Sequence, residues 1–251
     1  MEELMRQLVQ RLLTSAKESP YIWSAIGCTL LIGLQVVLAV VVLNGDEATV
    51  RRQLTSLQRL DVGNTTTKGQ PVTLHPVKSC APIALEPAQL PNSPSKYENC
   101  YMIAAESTHT DGRGYTIWNT LDQQTKPAMS RIKTEIWTPR KDADNSDPLV
   151  KAGGCILLSF PDPAVPEWLQ QMGRHTRSWL AAPQVACILP LEPTLDEVQE
   201  HKLTPRLFKH DGEPVKGLDM DTLPAVSDIL PRLRTFLGYP DRQGLTIFKP
   251  S

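Results

Sequence analysis

The 251-residue chain has no excess of either charge: 26 Lys and Arg stand against 27 Asp and Glu. Nucleic-acid binding leaves a basic excess concentrated on one face, so composition speaks against that partner. Metal-ligand spacing is missing too. His75, His109, His175, His201 and His210 are scattered, with no H-x-x-x-H pair of the kind that puts two ligands on one helix face. The cysteine spacings match no zinc template, and neither a Walker loop nor a G-x-S-x-G elbow occurs. Asp219 to Asp221 reads either as a small cation site or, because it precedes a helical stretch, as a capping cluster. No catalytic constellation is visible, and no cofactor is expected.

A long apolar run is present. Tyr21 to Leu43 carries no charge. The apolar core of a signal peptide covers about 7–15 residues and ends at a small-x-small site; this run is longer and ends in "AVVVLNGDE". A lipoprotein signal would place its cysteine after the apolar core, whereas Cys28 precedes most of it. Crossing about 30 Å of hydrocarbon takes roughly 20 apolar residues, so 21–43 is expected to be an uncleaved transmembrane helix. Flanking charge does not orient it: Arg6, Arg11 and Lys17 precede the run, and Arg51, Arg52 and Arg59 follow it. The short leading tail and the acidic pair Asp46 and Glu47 lean towards an inside N-terminus. So does the even set Cys80, Cys100, Cys155 and Cys187, which suits an oxidising space. The expectation is a single-pass protein of a bacterial inner membrane with its C-terminal domain in the periplasm; four reduced, buried thiols in a cytosolic domain is the alternative.

Around this run the chain divides into segments. Residues 1–20 place Leu4, Leu8, Leu12 and Ala16 on one helical stripe, either a cytoplasmic handle for a partner helix or a helix lying on the membrane surface. In 44–62, Val50, Leu54, Leu57 and Leu60 keep helical spacing, which predicts a stalk helix through which copies of the chain would associate. Residues 63–96, punctuated by proline, read as an extended linker. From Tyr97 onward the texture is that of a folded α/β domain, 97–251. Strand-like runs flank the Asp-Gly turn of "HTDGRG", and "SRIKTEIWTP" alternates apolar and polar residues. Ile156 to Phe160 and "QVACILPL" read as buried strands. Trp168, Leu169, Met172, His175, Trp179 and Leu180 line a helix face between those two strands. Thr194 caps a short helix, Asp211-Gly212 turns a hairpin, and a last amphipathic helix stops at Gly238.

The order strand, helix, strand, helix, hairpin, helix resembles the thioredoxin fold, and local residues resemble its periplasmic disulfide-isomerase branch. Phe160, Asp162, Pro163 and Pro166 match a pattern of the type F-x-D-P-x-C-P-x-C, and Thr204, Pro205, Asp211 and Gly212 match the later Thr-Pro and Asp-Gly elements. The resemblance covers about Arg131 to Tyr239. Its two redox cysteines would fall on Val165 and Trp168. Neither can act in thiol–disulfide exchange, which requires an accessible thiolate. The resemblance therefore implies a redox-inactive domain, with Pro205 in the cis form and a peptide-contacting edge at Thr204 and Pro205. Four cysteines allow three pairings; the bridges expected are Cys80–Cys100, which flank the linker, and Cys155–Cys187, which the resemblance puts on neighbouring strands of a thioredoxin sheet, with buried free thiols as the alternative for the second pair. The function this suggests is a structural or assembly subunit of an envelope-spanning machine of the secretion, conjugation or pilus type. Its partners would be other membrane or periplasmic subunits. A membrane-tethered thiol oxidoreductase using Cys155 or Cys187, or an anchored chaperone, is the alternative.

Overall fold

The computed structural model describes residues 20–43, 45–60, 72–85, 94–110, 116–165 and 184–251. The stripe in 1–20, the turn at Asp111-Gly112, Trp168 and the helix face from Trp168 to Leu180 lie outside them. The chain divides into two units, Met1–Gly45 and Asp46–Ser251.

In the first unit, Pro20–Leu43 forms helix α1. Its side chains are described only in part, and Tyr21, Leu30, Leu31 and Ile32 are exposed. Among the described residues no helix is long and apolar enough to cross a membrane. That finding overturns the single-pass inner-membrane placement and the periplasmic location that followed from it.

The second unit begins with helix α2 (Gly45–Arg52), whose acidic first turn and basic last turn complement the helix dipole. The chain then turns back instead of continuing as a stalk. Strand β1 (Leu57–Arg59) pairs antiparallel with β6 (Lys133–Pro139), and Leu54 and Leu57 are buried. The described part of 63–96 is not a bare linker either. It holds a two-stranded ladder, β2 (Val72–Leu74) and β3 (Ile83–Leu85), and gives Leu74, Val77, Cys80 and Leu85 to the main core.

The remaining strands are β4 (Met102–Thr110), β5 (Thr116–Thr120), β7 (Cys155–Pro161), β8 (Gln184–Pro190), β9 (Thr204–His210), β10 (Glu213–Asp219) and β11 (Leu245–Pro250). They form two bodies. One is an antiparallel sheet in the order β1-β6-β7-β8; the other is a closed barrel in the order β10-β11-β4-β5-β9. A closed ring of five strands cannot alternate direction all the way round, so at least one neighbouring pair must be parallel. That pair is β5 with β9, registered at Asn119 and Lys209, while the other four are antiparallel. A parallel pair needs a connection of a dozen or more residues. The chain supplies it by leaving the barrel after β5, building β6, β7 and β8, and returning at β9.

This arrangement overturns the thioredoxin-like fold. That fold requires the strands at 155–161 and 184–190 to run parallel around a crossover helix, whereas β7 and β8 are antiparallel from Cys155↔Pro190 to Pro161↔Gln184. The Thr204-Pro205 bond is also not cis, since no cis peptide occurs among the described residues.

Alternation along the barrel strands separates two faces. Ala104, Phe208 and Phe248 form a cluster of their own, with the two phenyl rings stacked at 3.7 Å between centroids. This pair fills the barrel, and Gly217 makes room for it. A Cβ at that position would lie 2.4 Å from Phe248 Cδ2 and 2.8 Å from the Lys249 carbonyl. The neighbouring positions Ile103, Leu245 and Ile247 face the other way, into the main core shared with Ile136, Ile156, Leu158 and Phe160 of the sheet. Each such side chain, fully buried, contributes about 1.5–3 kcal/mol. Two polar contacts tie the bodies where β8 ends: Tyr101 Oη donates to the Pro190 carbonyl, and Lys249 Nζ donates to the Leu191 carbonyl at 2.7 Å. The hairpin at Asp211-Gly212 forms as expected, both residues at positive φ (50° and 86°), the conformation a two-residue β-turn of this hand requires.

Candidate functional site

β8 is the outermost strand of its sheet, and the phase of its ladder decides which backbone groups it keeps free. The Leu191 N–H donates to the Gly154 carbonyl at 2.9 Å, next to the register pair Cys155↔Pro190. In an antiparallel ladder bonded and non-bonded pairs alternate, so 185, 187 and 189 bond to β7. Ala186 and Ile188 then turn their N–H and C=O groups to the open side. Among the described residues these groups take no partner. The free edge ends at Pro190, which has no N–H and whose carbonyl accepts from Tyr101.

This edge forms the floor of a cleft of about 450 Å³. One wall is α2, with Asp46, Thr49 and Val50; the other is built from helices α3 (Pro224–Ser227) and α4 (Leu230–Phe236) with the turn between them. Pro224 and Pro231 stand in the first turns of these short helices, where a missing N–H costs nothing, so the wall begins at defined points. Arg232 ties the two walls together. Its Nη1 lies 2.5 Å from Asp46 Oδ2 and 3.6 Å from Asp162 Oδ2. Asp228 stands exposed beside it, without a cation at ion-pair distance among the described residues. The outer face of the sheet next to the cleft is held by a second charge group. Arg51 gives two N–H bonds to the Glu135 carboxylate (3.0 and 2.9 Å) and one to Glu47, and Trp137 Nε1 donates to Glu135 as well. Burial raises the Glu135 pKa, but Arg51, Arg59 and Trp137 outweigh it and hold the carboxyl below its usual range.

The residues singled out in the sequence do not meet at one place. Val165 is buried in the turn after β7, where the Asp162 carboxylate accepts from the Ala164 N–H at 2.9 Å; the Asp-Pro pair builds a turn. Thr204 and Pro205 are exposed at the start of β9, registered against Asp219 and Leu218 of β10, so on that side the supposed peptide edge is already paired. Cys80, Cys100, Cys155 and Cys187 are all free and buried. Cys155 and Cys187 lie on opposite faces of the sheet, one in the outer cluster and the other in the main core, which rules out a bridge between them. Burial pushes each of these two thiols up to about 12, with Asp147 adding to the effect at Cys155. Burial likewise raises Cys80 and Cys100. Asp219 does not await a cation, because Arg206 Nη1 lies 2.7 Å from its Oδ2 and Thr246 Oγ1 donates to its Oδ1. His210 braces the barrel seam, between Lys78 Nζ on one ring nitrogen and Thr120 Oγ1 on the other (2.8 Å).

The cleft was missed because its floor is an uncharged strand. Exposed edges usually carry a Lys, a proline or a bulge against unwanted pairing, and "QVACILP" has only its final proline, so it reads as a central strand. Neither a family model, nor a curated protein, nor a solved structure matches this chain.

Proposed function

We propose that the unit Asp46–Ser251 is a non-catalytic protein-binding module, serving as a structural or assembly subunit. The observation that carries this reading is the free edge of β8 at the floor of its cleft. Unpaired backbone groups in a recess cost about 1–3 kcal/mol each when nothing bonds them, and an added strand from a partner satisfies them, a common mode of peptide recognition. The thiol alternative fares worse: exchange needs a thiolate that is both accessible and formed near neutral pH, and burial of Cys155 and Cys187 works against both conditions.

Photo-crosslinking in cells from Thr49 or Gln53, on the α2 side of the cleft, tests the proposal. One predominant protein adduct is expected. Many unrelated adducts would point to a chaperone, and absence of any adduct would remove the binding reading. Turnover of a model disulfide by the full chain, lost in Cys155→Ala or Cys187→Ala, would overturn the non-catalytic one.

A further inference from the structure

Resting on that reading, we infer that the cleft takes an extended, basic segment of another protein, which adds as a fifth strand beside β8. Two independent features select such an occupant. The first is the spacing of the free groups. Ala186 and Ile188 present their N–H and C=O two residues apart, about 6.8 Å along the strand. An extended backbone matches that repeat, whereas a helix, whose N–H and C=O groups bond within itself, has nothing to offer it.

The second feature is charge. Asp46 and Asp228 line this cleft; Arg232 pairs with Asp46 and reaches the buried Asp162 behind it, and among the described residues no cation lies at ion-pair distance from Asp228. A Lys or Arg of the incoming strand pairs with Asp228 or takes Asp46 over from Arg232, so the clasp between the walls is exchanged for a contact with the ligand. Val50 and Ile229 stand on either side of the floor, and the apolar side chains at alternate positions of the added strand pack against one of them while the Lys side chains point to the opposite side. The edge of a folded domain does not fit, because both walls rise beside β8 and Arg232 spans them; a single chain does.

Binding to the full-length protein of an acetylated, amidated Val-Lys-Val-Lys-Val peptide, followed by fluorescence anisotropy, tests the inference. The Lys peptide is expected to bind. Replacing Lys by Glu is expected to weaken binding at least tenfold, and N-methylation of alternate peptide residues to abolish it. Asp228→Asn, a change at an exposed side chain, is expected to weaken the Lys peptide several-fold. Equal binding of the Lys and Glu peptides, or an N-methylated peptide that binds as well as the parent, would overturn the inference. So would a crosslink from Thr49 that maps to a helical or acidic segment, to residues 166–183 of the same chain or to a second copy, although capture of another protein leaves the binding-module reading standing. No adduct at all defeats that reading itself.

Discussion

The barrel and the sheet solve the same problem in opposite ways. Each is a set of paired strands with a hydrophobic face, but the barrel closes on itself, with every strand paired on both sides, while the sheet stops at β8. The barrel interior is filled by stacked Phe208 and Phe248, and it spends its polar groups on itself: Asp219, Thr246 and Arg206. Among the described residues the sheet leaves the outward backbone groups of Ala186 and Ile188 unpaired, and Asp46 and Asp228 stand at the cleft beside them. The closed body offers no free strand edge among the described residues, and the capacity for a partner lies in the open one.

The largest effect should follow from emptying the barrel. Phe248→Ala is expected to cost about 3–5 kcal/mol, read from the urea midpoint, and a loss under about 1 kcal/mol would mean that the stacked pair does not hold the barrel. Next comes overfilling. Gly217→Ala places a methyl group against Phe248 and the Lys249 carbonyl, and about 1–3 kcal/mol of destabilisation is expected.

Acid should separate the two bodies by sign. Glu135 has a depressed folded pKa, so its contribution is present at neutral pH and is lost as pH falls through that folded value. Asp219 is raised, chiefly by burial and further by Asp221, against the opposing pull of Thr246 and Arg206. Its contribution is fullest below the unfolded carboxylate pKa and declines as pH rises through the folded one. Denaturation curves from pH 7 to pH 3 should therefore show a shallower acid loss in Glu135→Gln and a steeper one in Asp219→Asn; identical slopes would contradict the assignment. Alkylation of the native protein should label exposed Cys28 quickly and the four buried thiols only after unfolding. Mass spectrometry counts the adducts, and cysteines of the unfolded protein that take label only after reduction would revive the bridges.

The smallest effect tests the edge itself. Ala186→Pro removes an N–H that points away from β7, and under about 1 kcal/mol is expected, since proline is tolerated at a free strand edge. Cys187→Pro, one residue on, removes a bonded N–H and should cost several times more. Equal costs would show that the phase of the ladder is wrong.

Much of the local structure was legible, and the reason lies in short-range chemistry. Thr194 and Glu197 form a capping box, Gly238 adopts φ 68° just past α4, and Asp211-Gly212 turns a hairpin, each set by residues within a few positions. Strands 155–161 and 184–190 were also placed correctly, but their direction was not. An uninterrupted apolar strand reads the same in a parallel sheet and in an antiparallel one covered on both faces. Leu54 and Leu57 keep helical spacing and still end in a turn and a short strand, because the cluster they join, with Cys155 and Leu157, is remote in sequence. Strand β11 was not anticipated, since its partners β4 and β10 lie far apart along the chain. The cleft inherits this difficulty: a strand edge is a property of neighbours, and no residue of β8 announces which neighbour is missing.

The single parallel seam also governs how the chain reaches its native state. Because β5 and β9 meet only after everything between them has been made, and β4 must find β11 near the other end of the unit, the barrel is built from non-local contacts that pay loop-closure entropy before they return any stability. Refolding should accordingly be slow for a domain of this size. Strands β6, β7 and β8 follow one another in the chain and pair without either end of the unit, so this part of the sheet should gain protection from hydrogen exchange before the barrel closes, and the β8 edge exists early, while β1, β4 and β11 have still to be joined to distant partners.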